Sequence, residues 1–194
     1  MKQICVFGSS SESIDRVYLD VAEELGEFLA EKGCGVVYGA GKYGVMGAVA
    51  RGVRRKNGAL TGICPDFFIN MEVLTRDYGA LVFTETMRER KALMECNADA
   101  FIICPGGIGT LEEFFEIITL KQLERHQKPI VILNTCGFYD PMINMLEQSV
   151  AQRFMSEDIH RLYTVANSIE EAWEQLEEYR AFTYNKYAAQ LQGE

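Results

Sequence analysis

Short apolar segments alternate with helical patterns along the whole chain. The apolar segments predict seven strands, which read QICVFG, GVVYG, ALTGIC, ALVFTE, DAFIICPG, KPIVILN and LYTVAN. They are apolar throughout rather than alternating, which is typical of parallel strands that are covered on both faces. The segments between them repeat apolar positions at helical spacing and predict helices over about 14–32, 44–56, 87–96, 110–127, 141–154 and 169–179.

This regular alternation predicts an α/β fold, a doubly wound parallel sheet of Rossmann-like architecture. No Gly/Ser-rich linker, repeat or low-complexity tract divides the chain. We therefore expect a single domain over residues 1–180, followed by a C-terminal tail over 181–194.

Composition narrows the possible functions. The chain has 194 residues and a formal net charge of −9, which argues against binding to nucleic acid or to anionic membranes. No apolar run approaches the roughly 18 residues of a membrane span, and the N-terminus lacks a signal-peptide layout. The six cysteines form no C-x-x-C pair and lie mostly in apolar runs, so we expect buried free thiols in a reducing cytoplasm. With only two histidines, no metal site is expected.

Three glycine- or serine-rich turns follow predicted strands, and each leads into a helix. They read FGSSSES, YGAGKYGVMG and PGGIGT. Ligands of open α/β sheets bind beyond the carboxyl ends of the strands, where helix N-termini present free N–H groups to anions. The three turns together predict a phosphate-type site. The pattern G-x-G-x-x-G occurs at Gly39, Gly41 and Gly44, but it follows the second strand and lacks an acidic partner downstream, which disfavours a redox dinucleotide.

Two glutamates, Glu112 and Glu113, follow the last of these turns. Thr110 and Glu113 match a capping box, in which Thr110 would be the N-cap and Glu113 would reach back to it. Glu113 also lies in the first turn of a mostly apolar helix at the sheet edge. It could therefore instead face the electron-poor part of a substrate whose phosphate occupies the glycines.

Two basic clusters have different interpretations. Arg88, Arg90 and Lys91 lie at a predicted helix start, where cations oppose the helix dipole, and this unfavourable position suggests a function. The run RGVRRKNG at 51–58 lies at a helix end, where cations are favourable, and it is interpreted as structural.

The segments MRERKALM and PGGIGTLEE resemble the paired signatures of the LONELY GUY family, M-x-x-R-K and P-G-G-x-G-T-x-x-E. Both signatures match completely, and the resemblance extends over roughly residues 2–179. One departure is Ala40, where the family usually has a third glycine. The older description of this family as lysine decarboxylases finds no support, because no lysine lies in a pyridoxal-phosphate context.

The resemblance implies hydrolysis of the N-glycosidic bond of cytokinin riboside 5′-monophosphates, and of AMP, to free base and ribose 5-phosphate. It implies a homodimer, no cofactor, and Arg90 and Glu113 as the catalytic pair. In this hypothesis Glu113 stabilises the oxocarbenium-like transition state and orients or deprotonates the attacking water. The role of Arg90 stays open between phosphate, ribose, Glu113 and the departing base. The expected substrate contacts are Ser9, Gly41, Gly44, Glu72, Lys91, Gly106, Gly107, Ile108, Gly109, Thr110, Leu111, Glu112 and Thr119.

Two other functions remain open on the sequence. One is a non-catalytic protein of the same fold that carries a nucleotide or a molybdenum cofactor. The other is a nucleotide-gated interaction protein that uses its acidic surface and its tail. The preferred base also stays open between adenine and a prenylated adenine.

Overall fold

The computed structural model describes residues 2–182. Most of the predicted tail therefore lies outside the described residues, and the domain boundary at 180 stays a prediction. The seven predicted strands are all present: β1 (Gln3–Phe7), β2 (Gly35–Tyr38), β3 (Leu60–Pro65), β4 (Ala80–Thr84), β5 (Ala100–Ile103), β6 (Ile130–Leu133) and β7 (Thr164–Ala166). They form one parallel sheet in the order β4-β3-β2-β1-β5-β6-β7, which confirms the predicted fold class.

The helices of the described chain lie where the sequence predicts them, with boundaries shifted by a few residues. They are α1 (Arg16–Glu31), α2 (Gly44–Arg55), α3 (Met87–Asn97), α4 (Ile108–Gln122), α5 (Asp140–Ala151) and α6 (Ile169–Glu178). Short 3-10 turns lie at Asp66–Phe68, Thr135–Gly137 and Glu157–Arg161. The largest boundary error is in α4, which ends five residues before the predicted 127.

Two apolar layers cover the sheet. Alternate strand residues pack with α1, α2 and α6 in one buried cluster and with α3, α4 and α5 in the other. Burial on both faces explains why the strands are apolar throughout. The strand order reverses between β1 and β5, so the ends of these two strands form the switch point at which such sheets bind ligands.

The basic run at 51–58 has the structural role that the sequence indicates. Arg51 contacts Glu23 of α1 at 3.2 Å, and Lys56 contacts Glu31 at 2.6 Å. These pairs join α2 to α1 on the side of the molecule away from the glycine turns.

The expectation of buried thiols is correct for four of the six cysteines, Cys5, Cys34, Cys64 and Cys104. It is wrong for Cys96 and Cys136, which are exposed. Cys96 lies near the exposed end of α3, and Cys136 lies in the short turn after β6. Over residues 2–182, no helix is long and apolar enough to cross a membrane.

Candidate active site

The three glycine-rich turns meet at one edge of the sheet. The turns after β1 and β5 are joined directly, because the Ser9 N–H donates to the Pro105 carbonyl at 3.1 Å. The turn after β2 packs on the same serines through Gly44, which has a φ of +60°. A Cβ on Gly44 would lie 2.6 Å from the Ser9 carbonyl oxygen, so only glycine allows this approach.

The first turn of α4 presents its amides to a cleft of about 350 Å³. Leu111 is the first residue of the helix whose N–H is bonded within it, to the Gly107 carbonyl at 3.0 Å. The amides before it are therefore available for an anion. A Cβ added to Gly107 or Gly109 would meet nothing within 4 Å, so both glycines border open space. The cleft is lined by Gly8, Ser9, Ser10, Ser11, Met46, Arg90, Gly107, Ile108, Gly109, Thr110 and Glu113.

The predicted capping box at Thr110 is wrong. The helix starts two residues earlier, at Ile108, with Gly107 as N-cap and no side-chain cap bond. Thr110 instead packs against Gly106, where a Cβ would overlap the threonine side chain. Glu113 is therefore not used as a cap, and its role toward a substrate stays a prediction.

Glu113 forms a buried ion pair with Arg90 at the floor of the cleft. Arg90 Nη1 lies 2.8 Å from Glu113 Oε1, and the two residues are only 8% and 7% exposed. The Nε of Arg90 also donates to the Ile63 carbonyl at 3.3 Å. Its guanidinium lies so close to Gly39 that a Cβ there would overlap Nη2. Residues from β3, α3, α4 and the turn after β2 thus fix this one guanidinium.

Burial dominates the electrostatics of the pair. It raises the pKa of Glu113 to about 7, even though the neighbouring Arg90 lowers it. Removal from water destabilises the carboxylate, and the ion pair compensates only in part. Glu113 can therefore lose or accept a proton near neutral pH, which suits a general base.

An apolar compartment of about 270 Å³ adjoins the glycine-lined cleft. The two share Ser10, Met46 and Arg90. The walls of the apolar compartment are Gly39, Gly41, Tyr43, Cys64, Pro65, Phe68, Val73, Leu74 and Met87. The site thus has a polar half beside the α4 amides and an apolar half beside β2 and β3.

Comparison with known proteins identifies the family. The family model described as "Possible lysine decarboxylase" matches residues 46–176. The chain is 40% identical over 178 residues to the cytokinin riboside 5′-monophosphate phosphoribohydrolase LOG of Oryza sativa subsp. japonica, covering 92% of this chain and 74% of that protein. It is 37% identical to the Arabidopsis thaliana enzyme LOG2, covering 92% and 84%. This chain belongs to the LONELY GUY family.

Solved structures show how widely this fold is used. The X-ray structure of TM1055 is 29% identical, with a TM-score of 0.69, and the match covers 92% of this chain and all of that one. The molybdenum cofactor binding protein of Rippkaea orientalis is 23% identical with the same TM-score, covering 91% and 95%. At that identity the likeness shows the fold alone.

The structure brings together most of the residues that the LONELY GUY signatures point to. Ser9, Gly107, Ile108, Gly109, Thr110, Arg90 and Glu113 line the polar half of the site, and Gly41 lines the apolar half. Gly44 and Gly106 lie behind this lining, where they allow close packing against Ser9 and Thr110.

Five expected contacts lie elsewhere in the described chain. Lys91 pairs with Glu112 and with Glu116, at 2.7 Å from the latter, and lines a neighbouring cavity of about 240 Å³ that Glu113 also borders. Leu111 packs against the apolar cluster that contains α4. Glu72 lines a separate surface depression between residues 69 and 77. Thr119 is exposed and donates to the Phe115 carbonyl at 2.7 Å.

Two structural supports of the site were missed from the sequence. Gly39 was noted only as part of a dinucleotide pattern, although its missing side chain makes room for Arg90. Tyr139 is buried, and its hydroxyl donates to the Cys104 carbonyl at 2.8 Å, at the start of the PGGIGT turn. Its only sequence signal is an aromatic residue shortly after β6, which does not distinguish it from a core residue.

Proposed function

We propose that the protein hydrolyses nucleoside 5′-monophosphates at the N-glycosidic bond, with cytokinin riboside 5′-monophosphates and AMP as substrates. Water adds its oxygen to C1′, the bond from C1′ to the base nitrogen breaks, and the base leaves with a proton. The products are the free base and ribose 5-phosphate. The observation that carries this proposal is the buried Arg90–Glu113 pair, 2.8 Å apart, in the cleft next to the α4 amides.

The spacing along α4 fits a ribose phosphate. Glu113 follows the amides of Ile108, Gly109 and Thr110 by three to five residues, which is about 4.5–7.5 Å along a helix axis. A 5′-phosphate on these amides would place the ribose beside Glu113. This arrangement explains how a glutamate can lie beside an anion site, because the amides hold the phosphate while the carboxylate faces the sugar.

The chemistry requires negative charge beside the sugar. Cleavage of a ribosyl C–N bond builds positive charge on C1′ and the ring oxygen, and a carboxylate in a poorly hydrated cleft stabilises that charge strongly. The deprotonated form of Glu113 also accepts a proton from the attacking water. Arg90 favours the ionised form of Glu113 by lowering its pKa against the larger effect of burial, and it fixes the position of the carboxylate.

The apolar half of the site is the proposed base compartment. Met46, Phe68, Val73, Leu74 and Met87 offer a surface for a purine ring and for an apolar substituent on it. A volume of about 270 Å³ has room for both. We therefore expect the N6-prenylated nucleotide to have the lower KM and plain AMP to be cleaved as well.

The test is the substitution Glu113→Gln, which keeps the shape of the side chain. We expect nucleotide binding to persist and release of adenine from AMP to fall by orders of magnitude, measured by chromatography of the free base. Arg90→Ala should lose activity as well. Adenine release by Glu113→Gln at the wild-type rate would refute the proposal. Binding without base release by the wild-type protein would favour the carrier function instead.

The proposal extends to assembly and location. A homodimer is the expected state, and light scattering on the purified protein measures it. The edge strand β4 supports a protein interface, because Val82 and Phe83 are substantially exposed there and Met87 is exposed at the start of α3. Buried free thiols at Cys5 and Cys104 support a reducing compartment such as the cytoplasm.

A further inference from the structure

A second cavity lies at the opposite edge of the sheet, away from the glycine turns. It has a volume of about 220 Å³ and is bordered by the starts of β6 and β7 and by the ends of α4 and α6. Its lining includes Lys121, His160, Arg161, Gln175, Tyr179 and Arg180. The proposed hydrolysis uses none of these residues.

Lys121 is the central feature of this cavity, because its charge is buried without a counter-ion among the described residues. The residue is 1% exposed, and its ammonium donates to the Leu162 carbonyl at 2.8 Å. It also lies 4.6 Å from the ring centroid of Tyr179 and 5.9 Å from that of Phe182. Within residues 2–182, no carboxylate pairs with it.

An unpaired buried cation is costly, and an anion would remove that cost. Burial alone lowers the pKa of Lys121 to about 8, and no neighbouring acid opposes the shift. The ammonium has three N–H donors, of which the Leu162 carbonyl uses one. Besides its two ring contacts, the ammonium has no second acceptor within residues 2–182, so the other N–H groups can donate to the oxygens of a ligand.

Two further polar atoms of the lining are buried without a hydrogen-bond partner in the part of the chain that the structure describes. They are Gln175 Oε1 and the Tyr179 hydroxyl oxygen. The Gln175 amide nitrogen already donates to the Val165 carbonyl at 2.9 Å, so its free oxygen is correctly oriented as an acceptor. The unpaired Tyr179 hydroxyl can donate to an oxygen of a polar guest, and the Gln175 oxygen can accept from a guest that carries a proton, such as hydrogen phosphate.

The mouth of the cavity is mainly cationic. Arg161 and Arg180 contribute positive charge to its lining, and the imidazole of His160 lies beside them. Asp158 lies 3.6 Å from Arg161 and offsets this charge only in part, because its carboxylate is about half exposed. Glu147 lies 3.5 Å from His160. We propose that this cavity is a binding site for a small oxyanion of the phosphate or carboxylate type, held by the Lys121 ammonium and the Tyr179 hydroxyl.

Isothermal titration calorimetry with inorganic phosphate and with malonate tests the proposal on the full chain. The glycine turns can also bind phosphate, so the comparison is between wild type and Lys121→Met, which removes the charge and keeps an apolar side chain. We expect Lys121→Met to lose one binding site, or to bind at least tenfold more weakly there, while the other site keeps its affinity. Whether phosphate or malonate binds at the Lys121 site identifies the type of oxyanion that the site accepts.

Lys32→Met is the matched control, because Lys32 also lies over two aromatic rings, Phe28 at 5.2 Å and Trp173 at 5.4 Å, but on the surface. It should bind both anions as wild type does. If Lys121→Met does not fold, the exposed Arg161→Gln should still weaken the same site severalfold. Identical isotherms for wild type and for each folded variant of the cavity would overturn the proposal, whatever the outcome for nucleotide hydrolysis.

Discussion

Substitution of Gly39 by alanine should inactivate the protein without unfolding it. Gly39 follows β2, and an added Cβ would lie far inside the 3.0 Å limit of real Cβ contacts to Arg90 Nη2. The guanidinium cannot simply swing aside, because it is bonded to the Ile63 carbonyl and to Glu113 and is almost fully buried. Relief of the overlap therefore moves Arg90 relative to Glu113.

The size of both effects follows from this displacement. Overpacking a tightly packed interior costs about 1–3 kcal/mol of unfolding free energy, which a domain of this size can lose and still fold. A misplacement of about 1 Å in a catalytic group costs on the order of 100-fold in rate. We therefore expect Gly39→Ala to reduce kcat/KM for AMP by about 100-fold.

Gly39→Ala could lose activity because Arg90 is displaced or because the new methyl group blocks the cleft. The pH dependence of the reaction distinguishes these two causes. Arg90 lowers the pKa of Glu113, so its displacement should move the rise of activity with pH to a higher value. Gly41→Ala is the control for cleft blocking. Gly41 lines the same apolar compartment as Gly39, but a Cβ added to Gly41 meets the flexible side chain of Met46 rather than Arg90.

A second control is Gly35→Ala in β2, the strand that precedes Gly39. Its added Cβ meets the amide end of Gln3, so this variant should keep activity. Gly39→Ala activity within twofold of wild type, at an unchanged pH of half-maximal activity, would refute the role assigned to Arg90. An equal loss in Gly41→Ala and Gly39→Ala, both at the wild-type pH midpoint, would assign the effect to blocking.

Three other predictions follow from the site. The pKa of Glu113 is raised from 4.5 to about 7, so between these pH values the folded state holds a proton that the unfolded state has lost. The contribution of Glu113 to the free energy of unfolding is therefore fully present below pH 4.5 and is lost as the pH rises through 7. Denaturant titrations should show the stability of Glu113→Gln relative to wild type rising by a few kcal/mol from pH 4.5 to pH 8, and a pH-independent difference would contradict this. Tyr139→Phe leaves the buried Cys104 carbonyl without its donor, so unfolding free energy should fall by about 1–2 kcal/mol and KM for AMP should rise; an unchanged KM would show that the hydroxyl does not support the turn. Lys91→Met should reduce kcat/KM less than Arg90→Ala does, since Lys91 pairs with Glu112 and Glu116 and lines neither half of the site, and an equal loss would place it in the site.

The fold could be predicted from the sequence because burial on both faces leaves a strong local pattern. A strand such as β5, AFII, is apolar at every position and is bordered by polar or turn residues, so its location and parallel pairing follow from composition alone. The glycine turns could be placed for the same reason, because β-α alternation sends the carboxyl end of every parallel strand to one edge. The start of α4 was predicted two residues late, because a residue that caps a helix without a side chain, such as Gly107, leaves no distinctive signal.

The Arg90–Glu113 contact could be expected only from the topology and the family signatures. A capping interpretation of Glu113 was equally consistent with the local sequence. The raised pKa of Glu113 comes from burial in the folded chain. The position of its partner Arg90 depends on β3 and on the turn after β2, which are distant in the chain. The apolar half of the site could not be predicted from the sequence either, since its walls come mainly from the separated segments 39–46, 64–74 and 87–90.

The T/S-x-x-E pattern occurs at three helices, and the local sequence alone does not predict whether it caps the helix. At Thr86 the pattern caps α3, because the threonine accepts from the Glu89 amide at 3.1 Å and Glu89 accepts from the Glu85 amide at 2.9 Å. Ser168 caps α6 in the same way. At Thr110 the same sequence pattern lies inside a helix whose N-cap is Gly107. The amides of the first turn therefore remain available for a ligand, and the Glu113 side chain pairs with Arg90. A glycine pair ahead of the motif, absent at the other two places, is the difference that converts a helix cap into a candidate catalytic site.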